Sequence, residues 1–408
     1  MKNMRAFFAL FALAALAGCA VEPIAPPRQD VFNDAAFKPP TMRIDAQEAL
    51  KLSPAMKRFA DNEMAAEIRA KGVRDGLIDA LYSKGQLQLD YDAAETRTAS
   101  QAFDDRRGNC MSLVMMTAAF ANYLKLPVRF NSVYVEENWT RTNNIFFVAG
   151  HVNISLGRPA TMAPRVTVYG EAEFLTVDFM PPGDAKRNRS RPIDDATILS
   201  MFMNNRAAEA LMVGQVDDAY WWARSAIMTD SRWLAAYNTL AVLYRRKGLY
   251  GNAESTLRLV LDREPENLQA MSNLILVLAD VGRREEAQRY ANRLAQIQPA
   301  PPYKFFDEGV AAMKAGEFAT ARQLFRKEVA RAAYVAEFHF WLGLASYGLG
   351  DVTTARGELA KAMENSATTQ DRQLYGAKLA WLNTQREDRE RQLQQDRSRG
   401  GVAPRAGS

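Results

Sequence analysis

Cysteine and histidine are the scarce residues of this chain, two of each in 408. Two thiols some ninety residues apart, Cys19 and Cys110, make no disulfide framework, and two histidines beside them make a poor metal site. No run of residues reaches the eighteen apolar positions of a membrane-spanning helix. Glycine-rich phosphate loops, the zinc-binding His-Glu pattern and paired Cys-x-x-Cys motifs are absent, so no cofactor or metal is expected. The charge is nearly balanced, 52 Lys and Arg against 47 Asp and Glu. A surplus of +5 spread over this length is too weak to imply a nucleic-acid partner.

Each cysteine sits in a motif of its own. Lys2 and Arg5 precede an apolar run over residues 6–16, and the small Ala17 and Gly18 lead into Cys19. That is the layout of a secretory signal, whose apolar run is too short to cross a bilayer. The ending Leu16-Ala17-Gly18-Cys19 resembles the lipobox of bacterial lipoproteins. The resemblance implies that residues 1–18 are removed, that Cys19 is lipidated, and that the protein is anchored in the cell envelope. Ala20, where an Asp would favour the inner membrane, leans toward the outer membrane facing the periplasm. Residues 19–44 carry Pro23, Pro26, Pro27, Pro39 and Pro40 and are expected to form an extended, semi-rigid tether.

The C-terminal half repeats. Gly214, Gly248, Gly282, Gly316 and Gly350 fall every 34 residues, as do Ala219, Ala253, Ala287, Ala321 and Ala355. A glycine ends one helix in a left-handed turn, and the alanine five residues on lets the next helix approach closely. The period resembles tetratricopeptide repeats. It implies an all-α solenoid over 198–390, five units and a capping helix from 371, with a disordered tail over 391–408. Such arrays hold a protein or peptide partner, and Trp221 is a candidate groove residue. The solenoid is expected to fold independently of what precedes it.

Residues 45–195 lack the repeat. Ser53 to Arg69 reads as a helix with a Ser-Pro start, and Met111 to Leu124 as an apolar helix headed by Arg107-Gly108-Asn109-Cys110. The period then changes to two: Val128 to Val135 and Ile145 to Leu156 read as strands, and Arg165 to Phe179 as a hairpin turning at Gly170. A thiol at a helix N-terminus feels the positive end of the dipole, which favours the thiolate. A histidine can take its proton, and a carboxylate on a neighbouring strand can hold the imidazole tautomer. Singly, each residue has a plainer role. Cys110 is a small buried hydrophobe, His151 a satisfied strand histidine, and Asp178 a partner for an arginine such as Arg165.

The order of a Cys-headed helix, a strand with Gly150-His151-Val152 and a strand with Thr176-Val177-Asp178 resembles the transglutaminase-like superfamily of papain-type cysteine enzymes. The resemblance begins at Thr98-Ala99-Ser100-Gln101-Ala102-Phe103. It implies an α+β domain, a helix packed on an antiparallel sheet, with Cys110 as nucleophile, His151 as base and Asp178 as orienting acid. The gap of 27 residues between His151 and Asp178 is longer than usual, which keeps Glu171 and Glu173 open as the acid. The backbone N–H of Cys110 is the natural oxyanion donor and Gln101 a second candidate. His339, among aromatic residues of the fifth unit, reads as packing, and the basic run 186–191 as solvated linker. The expectation is a cysteine hydrolase acting on peptide or amide bonds through a thioester. Its rivals are an inactive binding scaffold and a protein-glutamine transamidase.

Overall fold

Two hydrophobic periods, about 3.6 and 2, alternate in the first half of the chain, and only the first persists in the second half. The computed structural model describes residues 26–82, 89–92, 95–134, 139–142, 145–148, 150–158, 174–179, 189–366, 371–384 and 391. Cys19 with the signal-like run, Arg165, Gly170, Glu171, Glu173, residues 186–188 of the basic run and the tail beyond 391 lie outside the described residues.

The first half opens with α1 (Pro54–Arg58), where Ser53 accepts the Met56 N–H at 3.2 Å and Pro54 takes the first turn. A π-turn over Phe59–Glu63 joins it to α2 (Met64–Lys71), and α3 (Val73–Tyr82) follows. Then come β1 (Asp90–Tyr91), α4 (Ala99–Asp105), β2 (Arg107–Gly108) and α5 (Cys110–Tyr123). In α5 every residue from Met111 to Ala121 is buried. A helix apolar all round must be covered on every side, and α5 is the centre of this half. Four strands form one antiparallel sheet: β3 (Val128–Tyr134), β6 (His151–Leu156), β7 (Leu175–Val177) and β8 (Arg189–Ile193), in the order β7-β6-β3-β8. β4 (Trp139–Thr142) and β5 (Ile145–Val148) pair separately, so the strand expected over Ile145 to Leu156 is two strands.

Ten helices then pair in sequence: α6 (Asp195–Met212), α7 (Val216–Thr229), α8 (Leu234–Arg246), α9 (Tyr250–Arg263), α10 (Leu268–Asp280), α11 (Arg284–Ile297), α12 (Lys304–Lys314), α13 (Phe318–Arg331), α14 (Ala336–Gly348) and α15 (Val352–Glu364). The five periodic glycines all have φ between 75° and 81°, the left-handed turn that the 34-residue spacing predicts. The five periodic alanines are all buried. Residues 371–384 are helical, with Tyr375 and Leu382 buried and Tyr375 stacked on Phe340 at 4.8 Å.

Residues 26–44 do not form a spacer. They lie against α7, α8 and α9, with Val31 and Phe37 each 6% exposed. Phe37 stacks on Tyr220 at 3.8 Å between centroids, Tyr244 donates to the Val31 carbonyl at 2.7 Å, and both Thr41 donors reach Asp218 at 2.7 Å. Trp221, the candidate groove residue, donates to the Lys38 carbonyl at 2.6 Å and so helps hold this strap. Proline stiffened the segment as read from its sequence. The two aromatic slots of the repeat helices decide where it goes. Phe37→Ala is expected to destabilise the chain by about 3 kcal/mol in urea unfolding, the cost of an emptied aromatic site. A residue in a free tether would change stability by at most about 0.5 kcal/mol.

The repeats are not separable from the first half either. One continuous apolar core runs from Val31 through α5, β3, β6 and α6 to Ala287 in α11. In α6 the six consecutive residues Ile198 to Met203 are buried, which no single neighbouring helix can achieve. Smaller clusters serve the later units, one from Tyr303 to Ala345 and one around Ala355, Leu359 and Leu382.

Candidate active site

The head of α5 is built by short-range geometry. Gly108 precedes it because a Cβ there would sit 2.6 Å from the Ser112 Cβ. Asn109 is the N-cap: its Oδ1 accepts the Ser112 N–H at 2.9 Å and the Ser112 hydroxyl at 2.8 Å. Its Nδ2 donates to the Thr96 hydroxyl at 2.9 Å, and the Ser112 Oγ accepts the Arg97 N–H at 2.8 Å. Cys110 therefore occupies the first helical position with its backbone pinned, its thiol half-buried and free of any disulfide. At that position no carbonyl of the helix reaches the Cys110 N–H, which suits it to a developing oxyanion.

The clamp on this turn continues into the repeats. Glu209 of α6 accepts the Thr96 N–H at 2.7 Å, and Arg206 donates to the Thr96 carbonyl at 3.0 Å and to Glu209 at 3.0 Å. Burial pushes the Glu209 carboxyl up to about 7, while Thr96 and Arg206 oppose that rise.

The sheet supplies the other two groups. On β6, His151, Asn153 and Ser155 share one face by the two-residue period, while Val152, Ile154 and Leu156 on the opposite face are buried in the core shared with α5. His151 is 5% exposed, and its Nε2 lies 2.6 Å from Asp178 Oδ1, just past the end of β7. Asp178 Oδ2 accepts the Asn153 amide at 2.9 Å, so each carboxylate oxygen has a partner. Asn131 of β3 donates to Asn153 Oδ1 and to Ser155 Oγ, both at 2.9 Å, and Ser155 meets Thr176 at 2.8 Å. Register explains the meeting: Asn131 faces Asn153 across β3–β6, and Ser155 faces Thr176 across β6–β7.

A carboxylate only accepts, so Nε2 carries the proton and Nδ1 is left for Cys110. Burial alone would lower the imidazole. The hydrogen bonds with Asp178 and Cys110, and their charges, overcome it and push His151 up to about 9. A histidine raised in this way adds stability that is fully present below its unfolded value near 6.5, and loses it as pH rises through about 9.

Cys110, His151 and Asp178 thus come together. Gln101 does not join them: its side-chain oxygen accepts the Thr98 N–H at 3.0 Å in a capping box at the start of α4. His339 is buried in the fifth unit between Glu358 at 2.5 Å and the Ala333 carbonyl at 2.7 Å. Asn153 and Asn131 were not foreseen, although the alternation His151-Val152-Asn153-Ile154-Ser155-Leu156 marks them as sharing the histidine's face. No group of three metal-ligating side chains occurs among the described residues.

Residues 306–370 match the family model for the tetratricopeptide repeat. Among solved structures the chain is similar to a thermophilic tetratricopeptide-repeat protein of Thermus thermophilus, at 17% identity over 45% of this chain and 99% of that one, TM-score 0.28. It is similar to MamA from Desulfovibrio magneticus RS-1, at 17% identity over 42% of this chain and 96% of that one, TM-score 0.25. A third is YrrB, described as a repeat protein with an unusual peptide-binding site, at 19% identity over 42% and 89%, TM-score 0.24. No curated protein matches the chain. The helices within residues 306–370 are thus tetratricopeptide repeats, which suggest a protein-binding module.

Proposed function

We propose that the chain is a transglutaminase-like cysteine hydrolase of the bacterial cell envelope, which cleaves peptide or amide bonds of a protein held by its repeats. The observation that carries the reading is the buried His151, fixed through Nε2 by Asp178, with the thiol at the head of α5 near enough to help push the imidazole up. With the thiol proton already held on His151 Nδ1, Cys110 Sγ attacks the scissile carbonyl, and the Cys110 N–H faces the oxyanion. His151 returns that proton to the leaving amine, and the carbon–nitrogen bond breaks to leave a thioester. Water, deprotonated by the same imidazole, attacks the thioester and releases the acid and the thiol. No cofactor or metal takes part in this sequence.

The envelope location rests on the lipobox-like run ending at Cys19, with a lipid holding the protein at the outer membrane facing the periplasm. Cys19→Ser is expected to move the protein out of the detergent phase, and a variant that partitions like the parent would remove the anchor. Product masses decide the reaction. With casein and an excess of a primary amine, cleaved peptides gain the mass of water, and Cys110→Ala makes none. Amine joined to glutamine side chains would replace hydrolysis by transamidation, and equal turnover in Cys110→Ala would exclude both.

A further inference from the structure

We propose that Glu209 and Arg206, on the first repeat helix, are positioning residues for the Cys110 nucleophile, so that the first repeat unit holds the catalytic turn in place. This rests on the hydrolase reading. Thr96 is the link. It is 1% exposed, and its N–H, its carbonyl and its hydroxyl are all engaged. Glu209 Oε1 accepts the N–H at 2.7 Å, and Arg206 donates to the carbonyl at 3.0 Å. The hydroxyl accepts the Asn109 amide at 2.9 Å, and the oxygen of that same side chain caps the helix that Cys110 begins. Two hydrogen-bonded steps therefore lead from α6 to the cap of the nucleophile's helix.

A contact that only joined the two halves would have no need of a charge here. Glutamine would accept the same N–H without the cost of burying a carboxylate. That cost shows in Glu209, whose carboxyl is pushed from 4.5 up to about 7 by burial, against the pull of Thr96 and Arg206. What the carboxylate adds is grip, since a hydrogen bond to an ionised acceptor is roughly twice as strong as a neutral one. The charges acting on it are Arg206, which also donates to Glu95 at 3.1 Å, and Glu95 itself. Acidic residues of the other elements packed on α6 are engaged elsewhere: Asp217 by Lys247, Asp218 by Thr41 and Glu48 by Lys51. Arg97, next to Thr96, is held by Asp92 and Asp105. Ionisation of Glu209 then acts with opposite signs on reactivity and stability. Above about pH 7 the carboxylate holds Thr96 firmly and the thiol is best placed. Because the folded value lies above the unfolded one, the same group's stabilisation is full below about 4.5 and is lost as pH rises through about 7. A purely structural contact would move reactivity and stability together.

The test reads alkylation of Cys110 by iodoacetamide at two pH values, on the full chain carrying Cys19→Ser. Glu209→Gln keeps an acceptor for the Thr96 N–H and removes the charge. It is expected to slow the reaction about fivefold at pH 8, the difference between a charge-assisted and a neutral hydrogen bond, and to match the parent at pH 5.5. Over the same interval the parent should lose melting temperature relative to Glu209→Gln, although it is the more reactive of the two. Arg206→Gln should slow alkylation about fivefold at both pH values, since the Thr96 carbonyl loses its charged donor. Phe37→Ala, which destabilises the chain outside this turn, should leave the rate unchanged. A Glu209→Gln rate in constant ratio to the parent at both pH values, a parental rate in Arg206→Gln, or equal slowing in Phe37→Ala would overturn the positioning role. If His151→Ala leaves the rate unchanged, the hydrolase reading falls alone, because the pH-dependent ratio of Glu209→Gln to parent still reports the hold on the thiol's helix.

Discussion

His151→Ala is expected to slow alkylation of Cys110 by iodoacetamide about a hundredfold at neutral pH, the scale of a positioned general base. In a Cys19→Ser background Cys110 is the one thiol in the sequence, so the reaction reports a single atom. The effect follows from geometry: Asp178 fixes the Nε2 proton, which leaves Nδ1 as the nitrogen that takes the thiol proton and holds it below about pH 9. Asp178→Asn should slow the same reaction by about tenfold, since an amide can donate to Nε2 and trap the wrong tautomer. His339→Ala should leave it unchanged, because that ring is held by Glu358 and Ala333 in the fifth unit. An unaltered rate in His151→Ala would leave a repeat scaffold with an idle cysteine.

A chain begun at Pro192 is expected not to fold as a cooperative unit. It would bare α6, where Ile198, Leu199, Met201, Phe202 and Met203 are all at most 5% exposed in the full chain. Fully uncovering such a side chain costs about 2 kcal/mol, and α7 and α8 still cover part of α6 in the fragment, so the loss is on the order of 5 kcal/mol. That is comparable to the whole stability of a marginal domain. The loss also includes the strap, whose Val31 and Phe37 cover Tyr244 and Tyr220. Circular dichroism on heating should show a broad or absent transition for this fragment and a sharp one for the full chain. A sharp transition at the same temperature in both would contradict the shared core.

The repeats were legible because period and residue type agree: a glycine every 34 residues with φ near 80°, and a buried alanine five residues on. Cys110 at a helix start was legible from Gly108-Asn109-Cys110, whose glycine and cap have local reasons. The boundary between halves was not. α6 has the sequence of a repeat helix, and its burial by the first half depends on contacts far away in the chain, such as Thr96 to Glu209. The strap was misread for the same reason. Proline content reports local stiffness, whereas the slot for Phe37 is made by residues 183 and more positions later. Asn153 has no titratable group of its own to mark it in the sequence, and its role is to hold one, the Asp178 carboxylate.

The most direct measurement is the titration of the His151 imidazole by NMR, in a chain where only one other histidine contributes signals. His151 is expected to keep its second proton up to about pH 9, and Cys110→Ala and Asp178→Asn should each bring that midpoint down, since each removes a partner that favours the imidazolium. A midpoint near the ordinary value of about 6.5 that neither substitution moves would contradict the thiol–imidazole–carboxylate arrangement.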